Sequence, residues 1–370
     1  MPTYDPIPES TPRPRKRKRK LTPFQRFIRF TQRFFTVFSL TLLIAVVFLF
    51  AVCFVLTHGP SENARNLFVH SMKETSAMKF LPHWFLSSQT IDEIMNPSEE
   101  SRGTDSYQEL RFEPADGEAT EEPEATPIVH IDDNTTTDDI EIIDIRKSTF
   151  KGKMMIVHDP ARVIVGTLDS YGRSGLQLSE FVEKYNAVGG TNAGAFEDAG
   201  GGGNGGTPDG LVIKDGRIHY GKASDYYVDV IGFDQNHILH VGNMTGQQAL
   251  DLGMVTAVSF PWGPVLIKDG VKLENLGGGI NPRTCIGQRA DGAVLLLVVE
   301  GRHADSLGAT YDDLANLLFE YGAVNAGNLD GGSSSIMIYE GEQITRNSNL
   351  VTGSRPMCTC ILVLEEGVDR

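Results

Sequence analysis

Residue types able to do chemistry crowd one short stretch, Val324-Asn325-Ala326-Gly327-Asn328-Leu329-Asp330-Gly331-Gly332-Ser333-Ser334-Ser335. A helix-like run from Tyr311 to Tyr321 feeds a short apolar strand, which delivers an acid, two glycines and three hydroxyls in a row. Glycines let a backbone approach a ligand closely, and their N–H groups can point at an anion. Asp330 at such a strand end can serve as base, acid or ligand-holding acceptor. Its plain alternative is an Asp-Gly turn that ends a hairpin strand. Three arginines stand at strand ends nearby in the sequence: Arg283 in Asn281-Pro282-Arg283-Thr284-Cys285-Ile286-Gly287, Arg302 in Glu300-Gly301-Arg302, and Arg355 in Gly353-Ser354-Arg355-Pro356. Each alone reads as a surface loop residue. Together, in an acidic domain, they form a phosphate-site candidate, because guanidinium forks bind phosphate oxygens bidentately and stay charged at every relevant pH.

The opening stretch has an internal echo. Asn192-Ala193-Gly194-Ala195-Phe196-Glu197 and Asn325-Ala326-Gly327-Asn328-Leu329-Asp330 share the form Asn-Ala-Gly-x-apolar-acid. Upstream of each lies Tyr-x-Ala-Val (Tyr185 to Val188, Tyr321 to Val324), then a helical run, then Gly-Arg (Gly172-Arg173, Gly301-Arg302) after a strand. This shared order predicts a pseudo-duplicated strand–helix–strand–hairpin unit. With approximate two-fold packing, Asn192 with Glu197 and Asn325 with Asp330 would converge on one cleft. Two carboxylates facing a substrate are the minimum for general acid/base or nucleophilic glycoside chemistry. The plain alternative leaves the asparagines capping strand ends and Glu197 in solvent.

The elements that must position these groups are those of a mixed α/β, or α+β, domain from about Ser148 to the C-terminus, with a mixed sheet and few helices. Arg162-Val163-Ile164-Val165, Val294 to Val299 and Ile336-Met337-Ile338 read as strands. Lys214-Asp215-Gly216, Lys268-Asp269-Gly270 and Glu340-Gly341 read as hairpin turns. Ser179 and Thr310 are the expected helix N-caps, Thr310 with Asp313 forming a near capping box. The run Gly200-Gly201-Gly202-Gly203-Asn204-Gly205-Gly206 is no phosphate-binding P-loop, since no Gly-Lys-Ser/Thr follows. A mobile loop, or a lid, is the expectation.

Before this domain the composition changes three times. Residues 1–33 are Pro-rich and basic, with the run Arg15-Lys16-Arg17-Lys18-Arg19-Lys20, and read as a cytoplasmic tail. Residues 34–56 carry no charge and exceed the length needed to span a bilayer as a helix. A cleaved signal peptide would have a shorter apolar core and a small-x-small site, which is not seen before Ser61. The basic block also fits nuclear or nucleic-acid binding, but beside a spanning helix the positive-inside rule explains it more simply. Residues 57–97 read as a partly helical stalk or membrane-surface helix, and residues 98–147 as an acidic disordered linker carrying Glu121-Glu122-Pro123-Glu124. The expectation is a single-pass type II membrane protein whose domain at residues 148–370 is extracellular. A net charge of −15, with the basic residues concentrated in the tail, argues against a nucleic-acid partner. Of four cysteines, Cys285, Cys358 and Cys360 fall in the domain. They form neither a disulfide framework nor a zinc spacing and read as buried thiols.

Taken together, the motifs resemble the phosphodiester glycosidases, the family of the N-acetylglucosamine-1-phosphodiester α-N-acetylglucosaminidase. The resemblance rests on Asn192 to Phe196, Pro282 to Gly287, Glu300-Gly301-Arg302, Asn328 to Ser334 and Arg355-Pro356, spread over roughly residues 155–365. Ala193, Cys285, Glu300 and Ser333 depart from the usual Gly, Ala, Asp and Gly. The anchor and spacer lie outside the resemblance and are similar to the arrangement of bacterial surface members, which implies an envelope or exopolysaccharide glycopolymer as partner. The resemblance implies hydrolysis of a sugar-1-phosphodiester at the anomeric C–O bond. It makes Asp330 the key carboxylate, with Glu197 or Glu300 as its partner. Arg283, Arg302 and Arg355 would hold phosphate, and Asn192, Thr284, Asn328, Gly331, Gly332, Ser333 and Ser334 would line the sugar or phosphate site. His303 is a further acid/base candidate against the plainer reading of an exposed loop histidine. No spacing requires a cofactor or metal, although acidic clusters beside phosphate leave room for a divalent cation. Two other readings stand beside this one: a phosphodiesterase that cleaves P–O, and a glycopolymer-binding or assembly module without turnover.

Overall fold

The structure, a computed structural model, describes residues 22–75, 78–95, 139–198, 203–261, 263–349 and 353–367. The basic run at residues 15–20, most of the expected acidic linker and part of the glycine run lie outside them. The chain divides into two units, Met1–His58 and Gly59–Arg370.

In the first unit, helix α1 (Pro23–His58) is 36 residues long, and its Phe, Leu, Val and Ile side chains are exposed all round. A helix apolar on every face needs an apolar surrounding, and α1 is long and apolar enough to cross a membrane.

The second unit begins with α2 (Glu62–Lys73) and α3 (Ser88–Met95), which pack on one another. Ser61 accepts from the Ala64 N–H at the start of α2, and Val69 and Ile91 are fully buried. The expected stalk is therefore a folded helical pair within the same unit as the domain, with Phe68, Val69 and Ile91 buried and Phe80 and Trp84 exposed.

Strands β1 (Ile140–Arg146), β2 (Lys151–Val157) and β3 (Val163–Thr167) lead to helix α4 (Leu178–Tyr185) and β4 (Ala187–Asn192). Ordered structure thus starts before the expected boundary at 148, because the isoleucine-rich run Ile140–Arg146 pairs along its whole length with Lys151–Val157. Then come β5 (Val212–Lys214), β6 (Arg217–Tyr220), β7 (Tyr226–Asp234), β8 (Leu239–Thr245), α5 (Gly246–Asp251) and β9 (Met254–Ser259). They are followed by β10 (Val265–Lys268), β11 (Val271–Lys272), β12 (Arg283–Arg289), β13 (Val294–Val299), α6 (Tyr311–Glu320) and β14 (Ala323–Asn328). Strands β15 (Met337–Tyr339), β16 (Glu342–Gln343) and β17 (Thr359–Leu364) complete the unit.

The α+β class expected from sequence holds, but the strands form three sheets rather than one, and neighbours run antiparallel. The orders are β1-β2-β13-β12-β14-β10-β11, β16-β15-β4-β17-β3 and β6-β5-β9-β7-β8. One core lies where all three sheets meet, around Ile231, Ile286, Met337 and Ile361. Helix α6 covers the far face of the first sheet and α4 that of the second. Thr310 caps α6 as expected, its hydroxyl accepting from Asp313 N–H while its own N–H donates to Asp313 Oδ2. Ser179 instead lies inside α4, whose start is closed by Gln177 N–H donating to Glu180. The hairpin signals are local and hold: Asp215 and Gly216, between β5 and β6, both take positive φ (52° and 66°), as a tight primed turn demands.

The duplication is visible in strand order. Reading β16-β15-β4-β17-β3 beside β11-β10-β14-β12-β13, each half is a strand–helix–strand unit with an antiparallel strand inserted between its two strands. The edge hairpin of each sheet follows the last strand of the other half, so the two halves exchange hairpins. The register also corrects the hexapeptide echo. Asn192 pairs with Cys360, and Asn328 pairs with Cys285, so Asn192 corresponds to Asn328 and not to Asn325. Both strands start two residues after a tyrosine and run six residues. A slip of three would turn every side chain to the opposite face. Asn325 accordingly bonds Leu239 and Asp269 outside the cleft.

Candidate functional site

Beyond β14 the chain delivers Asp330 and a short 3-10 turn, Gly332–Ser334. Asp330 is clamped through its backbone. Its N–H donates to the Ala193 carbonyl at 2.9 Å, and its carbonyl accepts from Asn192 Nδ2 at 2.5 Å. Asn192 Oδ1 in turn accepts from Thr284 Oγ1 at 2.8 Å and from Ile336 N–H. Asn192 and Thr284, expected at the ligand, are buried and instead lock the two halves of the duplication together behind the acid. Asn328 is buried as well, its amide donating to the Leu329 carbonyl.

The Asp330 side chain lines a cavity of about 550 Å³ together with Gly331, Gly332, Ser333, Arg302 and Arg355, a size suited to a small ligand. The residue is half-buried: protein encloses the carboxyl and the cleft opens one side of it. Burial raises its pKa to about 6, against a hydrogen bond from Ser334 and the charge of Arg355. Gly332 takes φ +63°, and a Cβ placed there would stand 3.5 Å from an Arg302 guanidinium nitrogen. Arg302, itself at φ +62°, is exposed to the cleft.

Of the neighbouring acids Glu197 and Asp198 it is Asp198 that lines the cleft, where Asp209 and Glu74 also stand. Phe196 and Asp198 line the cavity, while Glu197 between them is exposed, as alternation on extended backbone requires. Arg355 donates to Asp198 Oδ2 at 2.8 Å and to the Gly203 carbonyl, and lies 4.8 Å over the Phe196 ring. That hydrogen bond from Arg355 holds the Asp198 carboxyl below its usual range, against the opposing effect of burial. Glu300, the other expected partner, is also elsewhere. Arg346 claims both its oxygens, through the backbone N–H at 2.8 Å and Nε at 2.7 Å. His303 is paired through its backbone with Ser306 and does not line the cleft.

Arg283 lines the cleft, but its guanidinium is already committed. It is 4% exposed, lies 4.0 Å over the Tyr311 ring, and donates to Gly279 O, Ala309 O and Glu74 Oε2. Asp198, Asn281, Tyr311 and Phe260 were not singled out in the sequence, nor were Lys73, Glu74 and Lys79 on the helical pair. For Asp198 a signal existed: an apolar residue that must point inward, Phe196, stands two positions earlier. Cys285, Cys358 and Cys360 are buried free thiols, and burial pushes Cys358 up to about 12. No group of three His, Cys, Asp or Glu side chains suited to a metal occurs among the described residues.

The profile of the phosphodiester glycosidase family matches residues 185–364. The SPbeta prophage-derived uncharacterized protein YomE of Bacillus subtilis (strain 168) is 32% identical over 149 residues, covering 38% of this chain and 23% of that protein. The chain therefore spans about a quarter of this curated relative. Among solved structures, the zebrafish N-acetylglucosamine-1-phosphodiester alpha-N-acetylglucosaminidase catalytic domain, auto-inhibited by its pro-peptide, superposes with a TM-score of 0.50 at 22% identity, over 61% of this chain and 82% of that one. A hypothetical protein from Synechocystis gives 0.43 at 16% identity, over 60% and 61%. Residues 185–364, which carry Asp198, Arg302, Asp330 and Arg355, thus match the phosphodiester glycosidase family.

Proposed function

We propose that the domain hydrolyses a sugar-1-phosphodiester at the anomeric C–O bond. Water adds its oxygen to C1, the C1–O bond to phosphate breaks, and the phosphate departs as a monoester. The observation that carries this reading is the Asp330 carboxyl, raised to about 6 and lining the same cleft as Arg302 and Arg355. A carboxylate with that pKa is ionised at neutral pH yet basic enough to take a proton from water. Phosphate is a good leaving group, so charge neutralisation by the exposed Arg302, beside the Gly331–Ser333 backbone, serves the transition state better than strong proton donation. Asp198, kept ionised by Arg355, replaces Glu197 and Glu300 as the second acid. Two neighbouring carboxyls pushed in opposite directions are the usual mark of divided roles.

The test is product release by the full-length chain in detergent from a panel of sugar-1-phosphodiesters in heavy-oxygen water. Free reducing sugar carrying the label at C1, lost in a folded Asp330→Asn variant, supports the reading. Label in the phosphate would mean P–O cleavage instead. Tight binding of a glycopolymer without turnover would mean a binding module.

The apolar helix α1 and the basic block before it support a single-pass anchor with a cytoplasmic N-terminus. On that topology the substrate is an envelope or exopolysaccharide glycopolymer. External protease that removes a C-terminal tag from intact cells supports this orientation, and protection of the tag in intact but not in broken cells contradicts it.

A further inference from the structure

Residues 59–95 lie outside the matched family region, yet they furnish one wall of the cleft through Lys73, Glu74, Lys79 and Met95. Glu74, at the end of α2, is surrounded by donors. Its Oε1 accepts from Gly279 N–H at 2.9 Å, and its Oε2 accepts from Asn281 Nδ2 and from Arg283, each at 2.8 Å. The docking is close: Ser71 Oγ accepts from Ile280 N–H at 3.0 Å, and a Cβ at Gly279 would stand 2.3 Å from Ser71 N. With its amide nitrogen held by Glu74, Asn281 turns its carbonyl oxygen to Arg302, whose NH2 group donates to it at 3.2 Å and to Thr75 Oγ1 at 3.3 Å.

We infer that Glu74 is a positioning residue for the phosphate end of the cleft, supplied by the helical pair that follows the apolar helix. It balances the buried charge of Arg283 and fixes Asn281, so that Arg302 remains as the oriented cation open to the ligand. The inference rests on the proposed function in taking the ligand to be a phosphodiester. The cavity of about 550 Å³ persists with the segment in place, so residues 59–95 act as a wall of the site and not as a plug in it. Only an anion fits among those donors. A glutamine would have to turn its NH2 group toward another N–H, so the charge of Glu74 matters and not only its size.

The experiment uses the full-length chain in detergent with Glu74→Ala, Glu74→Gln, Arg302→Gln and the Glu74→Ala/Arg302→Gln double variant. Glu74→Ala should lower kcat/KM by roughly tenfold to a hundredfold, as loss of a supporting hydrogen-bond partner does elsewhere. Added formate should restore part of that activity by filling the vacated anion position, and should restore none in Asp330→Asn. Glu74→Gln should be impaired and unresponsive to formate. In the Arg302→Gln background Glu74→Ala should cost little more, since residues acting through one another are not additive. Inorganic phosphate should raise the Tm of the parent and not that of Glu74→Ala, a readout independent of turnover.

Full or increased activity in Glu74→Ala, or inhibition of that variant by formate, would make the segment a plug and overturn the inference. A fully additive double variant would overturn it too. A parent that turns over no sugar-1-phosphodiester sinks the proposed function, while a phosphate-dependent Tm shift lost with Glu74 would still uphold the positioning role. Should Glu74→Ala fail to fold, Glu74→Asp keeps the charge one methylene short. It should show an intermediate loss, and parental behaviour there would count against the inference.

Discussion

Asp330 sits where its charge is costly. Its folded pKa of about 6 lies above the ordinary 3.8, so the native state holds the proton more tightly than the unfolded chain. The stabilisation that protonation gives is complete below about pH 4 and is lost as pH rises through 6, which leaves a penalty at neutral pH. Two units correspond to about 3 kcal/mol at most, less to the extent that cleft water solvates the carboxyl. Asp330→Asn should therefore raise Tm at pH 7.5 and change it little at pH 4, while lowering kcat by about 10² to 10⁴. In the parent, kcat/KM should fall as pH drops below about 6, where the base becomes protonated. A variant that loses activity and also loses stability at pH 7.5 would contradict this account. At the same scale, Asp198→Asn should cripple turnover and Glu197→Gln should leave it within about twofold, surface changes being near neutral. A loss confined to Glu197→Gln would return the second role to that residue. Asp330, the glycines after it and all three cleft arginines were legible because their types and local spacing are unusual, although the commitment of Arg283 to Glu74 was not. Asp198 was not, since an echo misaligned by three residues pointed to its neighbour. Glu300 misled because a long-range partner, Arg346, leaves no trace near it in the chain.

Elements were legible where their signals are local. The Asp-Gly hairpins and the cap at Thr310 follow from a few adjacent residues, and the structure has them. Strand order was not legible. The exchange of hairpins between the halves depends on pairings between residues far apart, such as Cys360 with Asn192. The separate sheet formed by β5 to β9 likewise depends on where an insertion packs. Helix α6 shows how a local signal serves the site. The capping box of Thr310 and Asp313 fixes the first turn, and the next residue, Tyr311, lies under Arg283. Thr310→Ala should cost about 1 kcal/mol, read as a lower urea midpoint with an unchanged slope. It should also weaken substrate binding, because Tyr311 loses the fixed backbone beneath it. Unchanged stability would mean that tertiary packing alone holds the turn.

For the whole molecule the question is where the working unit begins. Composition puts the boundary near 148, since residues 98–147 are rich in acids. Two of those acids, however, belong to β1: Asp144 pairs with Lys153 on the neighbouring strand β2 and Glu141 with His158 just beyond it. Glu141 and Asp144 are thus strand partners, whereas Glu121-Glu122-Pro123-Glu124 lies outside the described residues. Strand β1 covers the edge of β2, whose Met154, Met155, Ile156 and Val157 are almost fully buried. It also buries Ile145, worth about 2 kcal/mol on its own. A fragment starting at 148 leaves an apolar strand edge open to pairing with other chains, and it leaves Arg283 buried without Glu74. A fragment of residues 139–370 restores the edge but not the ion pair, and one of residues 59–370 restores both. Soluble yield and Tm should rise in that order, with the first fragment largely aggregated. Losing one partner of a buried pair costs about 3 to 5 kcal/mol, so the step from 139–370 to 59–370 should be visible in Tm. Equal Tm for those two fragments would mean that the helical pair only rests against the domain. A gain confined to the longest one would make it part of the fold as well as of the cleft.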